Sequence, residues 1–307
     1  MTLRETERDG PKAGETCGGS EQACAALIND GAALYRGDAI EGMRRIEGGS
    51  FDLAIADPPY GASTRAQWRL RGGHGLSGFG GAWKLADHHW DMLAGVEGFQ
   101  FTLAWLSELG RLVRPEGSIW IHSTYHNSGL VNIACQILGL EIINEAVWYK
   151  RNAFPSLAAR RLTASHETIL WAHTGGPNNR VYQFNYDEVK AAGFAGDSLK
   201  SPGKQLRTVW DVPNNKGPGE SRYGRHPTQK PLRLLSRMFL ISGLRGGRFF
   251  TPFAGAGSEM VAALQYGMHA TGFELDPEYC EIARRRLLDE APPVALRVPE
   301  RDYRAGE

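Results

Sequence analysis

No apolar run in this chain of 307 residues approaches the roughly 20 residues a bilayer-spanning helix needs, which excludes membrane insertion as an expectation. Cysteine is scarce. Cys17, Cys24, Cys135 and Cys280 lack the close paired spacing of a zinc site, and Cys135 and Cys280 lie in apolar helical patterns that read as buried free thiols. The nine histidines are equally solitary: neither His88/His89 nor His122/His126 has carboxylates or thiols at ligand spacing, so no metal site is expected. Charge of one sign is missing too. A net charge of +1 gives no global nucleic-acid signature, although balance can hide a local basic face. The start, "MTLRETERDGPKAGETCGGS", has no apolar core of a secretory signal, so the chain reads as cytoplasmic, with a disordered extension over residues 1–30.

What is present is an ordinary globular composition, 42% hydrophobic and 22% charged, in a chain long enough for one large α/β domain with an insertion. From Gly31 onward, short apolar runs alternate with helical stretches, as in βαβ units. "AALYRGDA" reads as a strand ending at Gly37-Asp38. "FDLAIA" is a continuous apolar run, the mark of a strand covered on both faces, and Pro58-Pro59 must stop it because neither proline can donate to a ladder. Residues Gly61 to Trp83 form a long Gly/Arg-rich loop. "FTLAWLSELGRLV" has helical spacing, then "EGSIWIHS" a strand, "LVNIACQILGL" a helix and "IINEAVWYK" a strand.

After Lys150 the rhythm breaks. One strand, "ETILWAH", stands among turn-rich segments, and from Lys150 to Lys230 there are 13 cationic side chains against six acidic ones. That charge fits either a nucleic-acid face or a solvated surface. Regularity returns with a helix from about Pro231, followed by "GRFFTPFAGAGSEMVAALQYG" as strand, glycine turn and helix. "HATGFELDPEYCEIARRRLLDE" gives a last strand and helix. The expected division is therefore 31–150 and 226–292 as the main domain, 151–225 as an insertion, and 293–307 as a flexible tail.

Glycines 255 and 257 open a helix, where a backbone without β-carbons lets a ligand approach free N–H groups. The next strand ends in Glu274, placed to accept hydrogen bonds from both hydroxyls of a ribose. The spacing departs from G-x-G-x-x-G, because Gly257 is followed by Ser258, Glu259 and Met260, so a pyrophosphate has little to hold it. S-adenosylmethionine is a nucleoside cofactor without phosphates.

The tetrapeptide "DPPY", Asp57 to Tyr60, reads alone as a strand-ending turn with an N-capping acid. Taken in order with "HPTQKP", "FAGAG" and "GFELD", it resembles the amino-methyltransferases of DNA. The order is that of the β class, in which the catalytic motif precedes the target-recognition region and the cofactor motif lies near the C-terminus. The resemblance spans roughly Leu34 to Leu288 and includes "VWYKRNAFPSLAARRLTASHETILWAHT". It implies a Rossmann-like α/β methyltransferase fold with a mostly parallel sheet and a small target-recognition insertion at 151–225.

For site residues, the resemblance implies that Asp57, Pro58, Pro59 and Tyr60 hold the target base. Phe253, Ala254, Gly255 and Gly257 form the cofactor turn, Glu274 meets the ribose, and Asp38 of "YRGD" contacts the cofactor adenine. Thr228, Gln229 and Lys230 line the methionine end, with Lys230 pairing its carboxylate. The family usually has aspartate where Thr251 stands and often serine at Ala256, so a contact to the cofactor's ammonium is weakened or supplied elsewhere. The strands before Phe253 and Asp57 are expected to be neighbours at the point where strand order reverses. Asp57 and the Pro58 carbonyl would accept the two amino hydrogens of a flipped base, with Tyr60 stacked on it.

Arg65, Arg69 and Arg71 of the long loop, and Arg160, Arg161, Lys200, Lys204 and Arg207 of the insertion, are candidate contacts to double-stranded DNA. Trp90-Asp91 reads either as a matching pair after the catalytic motif or as a helix start. Aspartate at position 57 resembles adenine-N6 enzymes, with cytosine N4 as the alternative. Methylation of RNA or of protein glutamine, and a nonenzymatic DNA-binding protein on the same fold, are competing readings. The resemblance also implies a homodimer and a cognate restriction endonuclease.

Overall fold

The computed structural model describes residues 25–29, 31–60, 95–153, 155, 160–177, 181–194, 196–214, 219–224 and 226–290. In chain order its elements are β1 (Ala25–Asn29), β2 (Ala32–Arg36), α1 (Ala39–Met43), β3 (Phe51–Ala56), α2 (Gly95–Leu112), β4 (Val113–Ser123), α3 (Ser128–Ile137), β5 (Glu141–Tyr149), β6 (His166–His173), α4 (Tyr186–Ala191), β7 (Val209–Asp211), α5 (Leu232–Ser242), β8 (Arg248–Thr251), α6 (Ser258–Tyr266), β9 (His269–Glu274) and α7 (Pro277–Glu290). No described helix is long and apolar enough to cross a membrane, and the described residues hold no cluster of metal-ligating side chains.

The strands form one sheet in the order β1-β2-β9-β8-β3-β4-β6-β5-β7. From β2 to β4 every pairing is parallel, while β6 runs antiparallel to both of its neighbours. All six residues of β3 are buried, as its unbroken apolar run requires. Its side chains alternate: Leu53 and Ile55 enter a core shared with α5, α6 and α7, whereas Ala54 and Ala56 enter one shared with α1, α2 and α3. The sheet is thus the middle of three layers.

From β3 the chain crosses to β4 on one side, and from β8 it crosses to β9 on the other. Strand order therefore reverses between β3 and β8, where Leu53 pairs with Phe249 and Ala54 with Phe250. This is the adjacency expected from the motif order. A crevice opens beyond the C-terminal strand ends at such a point.

Three sequence expectations change. Ala25–Asn29, placed in the disordered extension, forms β1 and pairs antiparallel with β2, which covers an otherwise open sheet edge. β4 starts at Val113, ahead of Pro115. The register passes from Phe51↔Val113 to Leu53↔Ser118, so a bulge carries the proline, which has no N–H for the ladder. The 151–225 span is not separate from the sheet, because β6 lies between β4 and β5 and β7 forms the outer edge. The Gly61–Trp83 loop, Trp90-Asp91 and the 293–307 tail lie outside the described residues.

Phe250 is fully buried at the reversal point, with its ring centroid 4.8 Å from that of Phe51 and 6.0 Å from that of Phe273. Phe250→Ala is expected to lower the unfolding free energy by about 3–5 kcal/mol in guanidinium titrations. A loss below about 1 kcal/mol would contradict this packing.

Candidate active site

Beyond the ends of β3, β8 and β9 lies a cavity of ≈ 260 Å³. Its wall brings together Asp38 at the start of α1, the whole Asp57–Tyr60 turn, Thr228–Lys230, Phe253–Gly255 and Glu274. Segments almost two hundred residues apart share this one space because β3 and β8 are neighbours.

Asp57 and Pro59 are half-buried, while Pro58 and Tyr60 are buried. The Asp57 carboxylate is held from two sides: Lys230 Nζ lies 2.6 Å from Oδ2, and the Tyr60 hydroxyl donates to Oδ1. Lys230 also lies 2.8 Å from the Tyr60 oxygen and donates to the Thr228 carbonyl at 3.2 Å. On its other side stands Glu167 of β6, 3.8 Å away, itself bonded by Lys150 at 2.9 Å. Carboxylates and ammonium groups thus alternate from the cavity into β5 and β6.

Burial opposes charge on Lys230, but Asp57 and Glu167 outweigh it and hold the ammonium above its ordinary value. Burial also raises the Tyr60 hydroxyl well above the usual phenol value, with Asp57 and Glu167 adding to it. Tyr60 therefore stays a neutral donor. Nearby His122 is fully buried, and neither ring nitrogen has a hydrogen-bond partner among the described residues. Burial, then Lys230, lowers it to about 3, so it is neutral as well.

At the glycine turn, Gly255 has φ +50° and donates its N–H to Glu274 Oε2 at 2.7 Å, while Asp276 N–H donates to Oε1 at 2.8 Å. Glu274 is thereby fixed at the strand end. Burial pushes its carboxyl up to about 7 despite those two donors. Gly257, at φ +76°, caps α6; a β-carbon there would lie 3.1 Å from Ala283 Cβ on α7. Its place is against that helix and not on the cavity wall. Arg286 braces the turn from behind, donating to Ser258 Oγ at 2.7 Å and to the Ala256 carbonyl at 3.3 Å. Phe253 meets Trp105 edge-on at 5.6 Å, and Asp38 Oδ1 accepts from Glu41 N–H at 2.9 Å.

Residues 51–285 match the family model described as DNA methylase, of the N6/N4 type. The chain belongs to this family. The methylase is also 34% identical over 256 residues to the Type II methyltransferase M2.DpnII of Streptococcus pneumoniae, covering 83% of this chain and 88% of that one. It is 34% identical over 261 residues to the Type II methyltransferase M2.LlaDCHI of Lactococcus lactis subsp. cremoris, covering 84% and 90%. Among solved structures, it resembles in fold the M1.HpyAVI-SAM complex, with TM-score 0.57, 21% identity, and coverage of 83% of this chain and 98% of that one. It also resembles the PvuII DNA methyltransferase (cytosine-N4-specific), with TM-score 0.60, 15% identity, and coverage of 83% and 86%.

Of the methylase's expected DNA contacts, Arg160, Arg161, Lys204 and Arg207 are exposed, and Arg161 donates to the hydroxyl of exposed Tyr125 at 3.0 Å. Lys200 is a correction. Its ammonium is buried and bonds the carbonyls of Lys190, Ala192 and Ser201, so it ties a loop together and cannot reach DNA. Arg65, Arg69 and Arg71 lie outside the described residues. Thr251 is fully buried and absent from the wall. Among the wall residues that sequence reasoning missed are His226, Phe101 and Glu259, and it missed the contact of Glu167 with Lys230 as well. An acid in a helix's first turn is an ordinary signal, so Glu259 gave no warning.

Burial, reinforced by Asp57, pushes the Glu259 carboxyl up to about 7. Glu259 and Glu274 both titrate in the unfolded chain near 4.5. Between these values each carboxyl holds more protons in the folded state, so its contribution to the unfolding free energy falls as pH rises through that window, while neutral His122 contributes in the opposite sense. The carboxyl contribution is whole below pH 4.5 and lost as pH passes 7. In denaturant titrations from pH 4.5 to 7, Glu259→Gln is expected to gain stability relative to the unsubstituted protein as pH rises; a difference that stays constant with pH would contradict the assignment.

Proposed function

We propose that this DNA amino-methyltransferase acts on adenine N6, with S-adenosylmethionine as its donor and Asp57 at the reacting amine. The observation that carries this reading is the shared cavity, in which the Asp57–Tyr60 turn faces the glycine turn and Glu274. The residues present fit the donor. Glu274 offers a fixed carboxylate to ribose hydroxyls, the backbone at Gly255 leaves room for close approach, and Asp38 stands at the neighbouring strand end for the adenine. When bound, S-adenosylmethionine supplies a methyl group activated by a positively charged sulfur.

The difficulty lies with the acceptor, whose amine lone pair is delocalised into the base ring. Asp57 acts by accepting a hydrogen of that amine, which draws the nitrogen toward tetrahedral geometry. Lys230 and Tyr60 occupy only part of its capacity, because an ionised carboxylate has about four acceptor sites. Lys230 fixes the orientation of the carboxylate through Oδ2. The Pro58 carbonyl takes the second amino hydrogen, and no N–H at Pro58 or Pro59 competes for that space. On transfer the donor's sulfur–methyl bond would break, its electron pair staying on sulfur as a neutral thioether, and the amine proton released as the nitrogen–carbon bond forms would pass to the Asp57 carboxylate. The base reaches this site only when flipped from the duplex, at a cost of a few kcal/mol.

Arg160, Arg161, Lys204 and Arg207 contact phosphates or base edges in this reading. That the Streptococcus pneumoniae and Lactococcus lactis relatives are Type II methyltransferases supports a companion restriction endonuclease.

Asp57→Ala is expected to lower methyl transfer by about 10²- to 10⁴-fold while calorimetry shows nearly unchanged affinity for S-adenosylmethionine; retained activity would remove Asp57 from the mechanism. Digestion of methylated DNA to nucleosides should yield N6-methyl-2′-deoxyadenosine by mass spectrometry, and N4-methyl-2′-deoxycytidine in its place would overturn the adenine assignment. Each phosphate contact steepens the salt dependence of DNA affinity by about 0.9 in log–log slope. Arg207→Ala should therefore reduce the slope by about 1 if Arg207 contacts phosphate, and an unchanged slope would exclude that contact.

A further inference from the structure

We propose that the carboxylate of Glu259 receives the cationic ammonium group at the amino-acid end of the methyl donor. This rests on the donor reading above. The donor presents a nucleoside at one end and a zwitterionic amino acid at the other, so its ammonium calls for a carboxylate. The described wall of the cavity carries four: Asp38, Asp57, Glu259 and Glu274. Three are engaged by other residues. Asp38 accepts the N–H of Glu41, Glu274 those of Gly255 and Asp276, and Asp57 is held by Lys230 and Tyr60.

Glu259 differs. It is only 4% exposed, yet it lines the cavity, and its one hydrogen-bond donor among the described residues is its own backbone N–H. The charged and titratable groups facing it are Asp57 beyond β3, Lys230 before α5, Arg286 of α7 and the Tyr60 hydroxyl. Neither cation is spent on it. Lys230 bonds Asp57 and Tyr60, and Arg286 points to Ser258, Ala256 and Glu290. A buried carboxylate without a cation is costly, and burial accordingly holds this one partly protonated near neutral pH. A ligand ammonium in the cavity supplies the missing partner.

Position agrees. Glu259 is in the first turn of α6, directly after the glycine turn that ends beside Glu274, and it feels the charge of Asp57. It therefore shares one cavity with both the ribose acid and the transfer end. The end of β8 offers no rival, because Thr251 is fully buried and off the wall.

The test is calorimetry with two probes, S-adenosylhomocysteine and its deamino analogue, on the whole chain and on Glu259→Gln. The unsubstituted protein should prefer S-adenosylhomocysteine by about 10- to 100-fold. In Glu259→Gln this preference should collapse through weaker binding of S-adenosylhomocysteine alone, the deamino analogue binding as before. A preference that survives in the variant, or an equal loss for both probes, would overturn the proposal. Should the variant fail to fold, the unsubstituted protein decides the matter. Its preference should shrink as pH falls below 7 and Glu259 takes up a proton, and a preference constant with pH would overturn the assignment. Absence of any S-adenosylhomocysteine binding by the unsubstituted protein would instead remove the donor reading itself.

Discussion

The ammonium of Lys230 joins parts of the chain that the sequence keeps far apart. It is almost wholly buried, 2.6 Å from a carboxylate 173 residues away, with Glu167 of a third segment on its other side. Buried ion pairs rarely repay their desolvation, so stability is a poor account of this one. What the pair does is hold the Asp57 carboxylate in place on the cavity wall. The link from Glu167 to Lys150 carries the same alternation of charge into β6 and the end of β5, so the Asp57 turn and the start of the 151–225 span belong to one electrostatic unit.

Around that unit the scaffold is stiff. β3 is covered on both faces, Phe250 and Phe273 close the reversal point from one side, and Arg286 fixes the glycine turn from the other. Rigid strand ends hold reacting groups in place better than loops do, and methyl transfer to a weak nucleophile depends on such placement.

Much of this was legible in residues whose chemistry is local. "FDLAIA" announced a strand buried on both faces, the two prolines of "DPPY" announced its end, and "FAGAG" with Glu274 announced a glycine turn beside an acid at a strand end, each within a few positions. Their neighbourhood in space followed from motif order. Pairing and burial at a distance were not legible. β1 becomes a strand because β2 offers it an edge, which no periodicity of its own records. The bulge at Pro115 depends on the register with β3. Lys200 sits in a basic stretch, but charge in a sequence does not tell whether an ammonium faces solvent or folds back onto carbonyls. Glu259 looks like any acid favouring a helix start until the walls around it are seen.

The adjacency of β3 and β8 also has a temporal side. During synthesis at about 5–20 residues per second, the 173 positions between Asp57 and Lys230 take roughly 10–35 s to emerge. Throughout that interval β3 waits beside the ribosome with one flank unpaired and its acid without a counterion. The last third of the chain therefore brings both the missing neighbour of β3 and the counterion of Asp57.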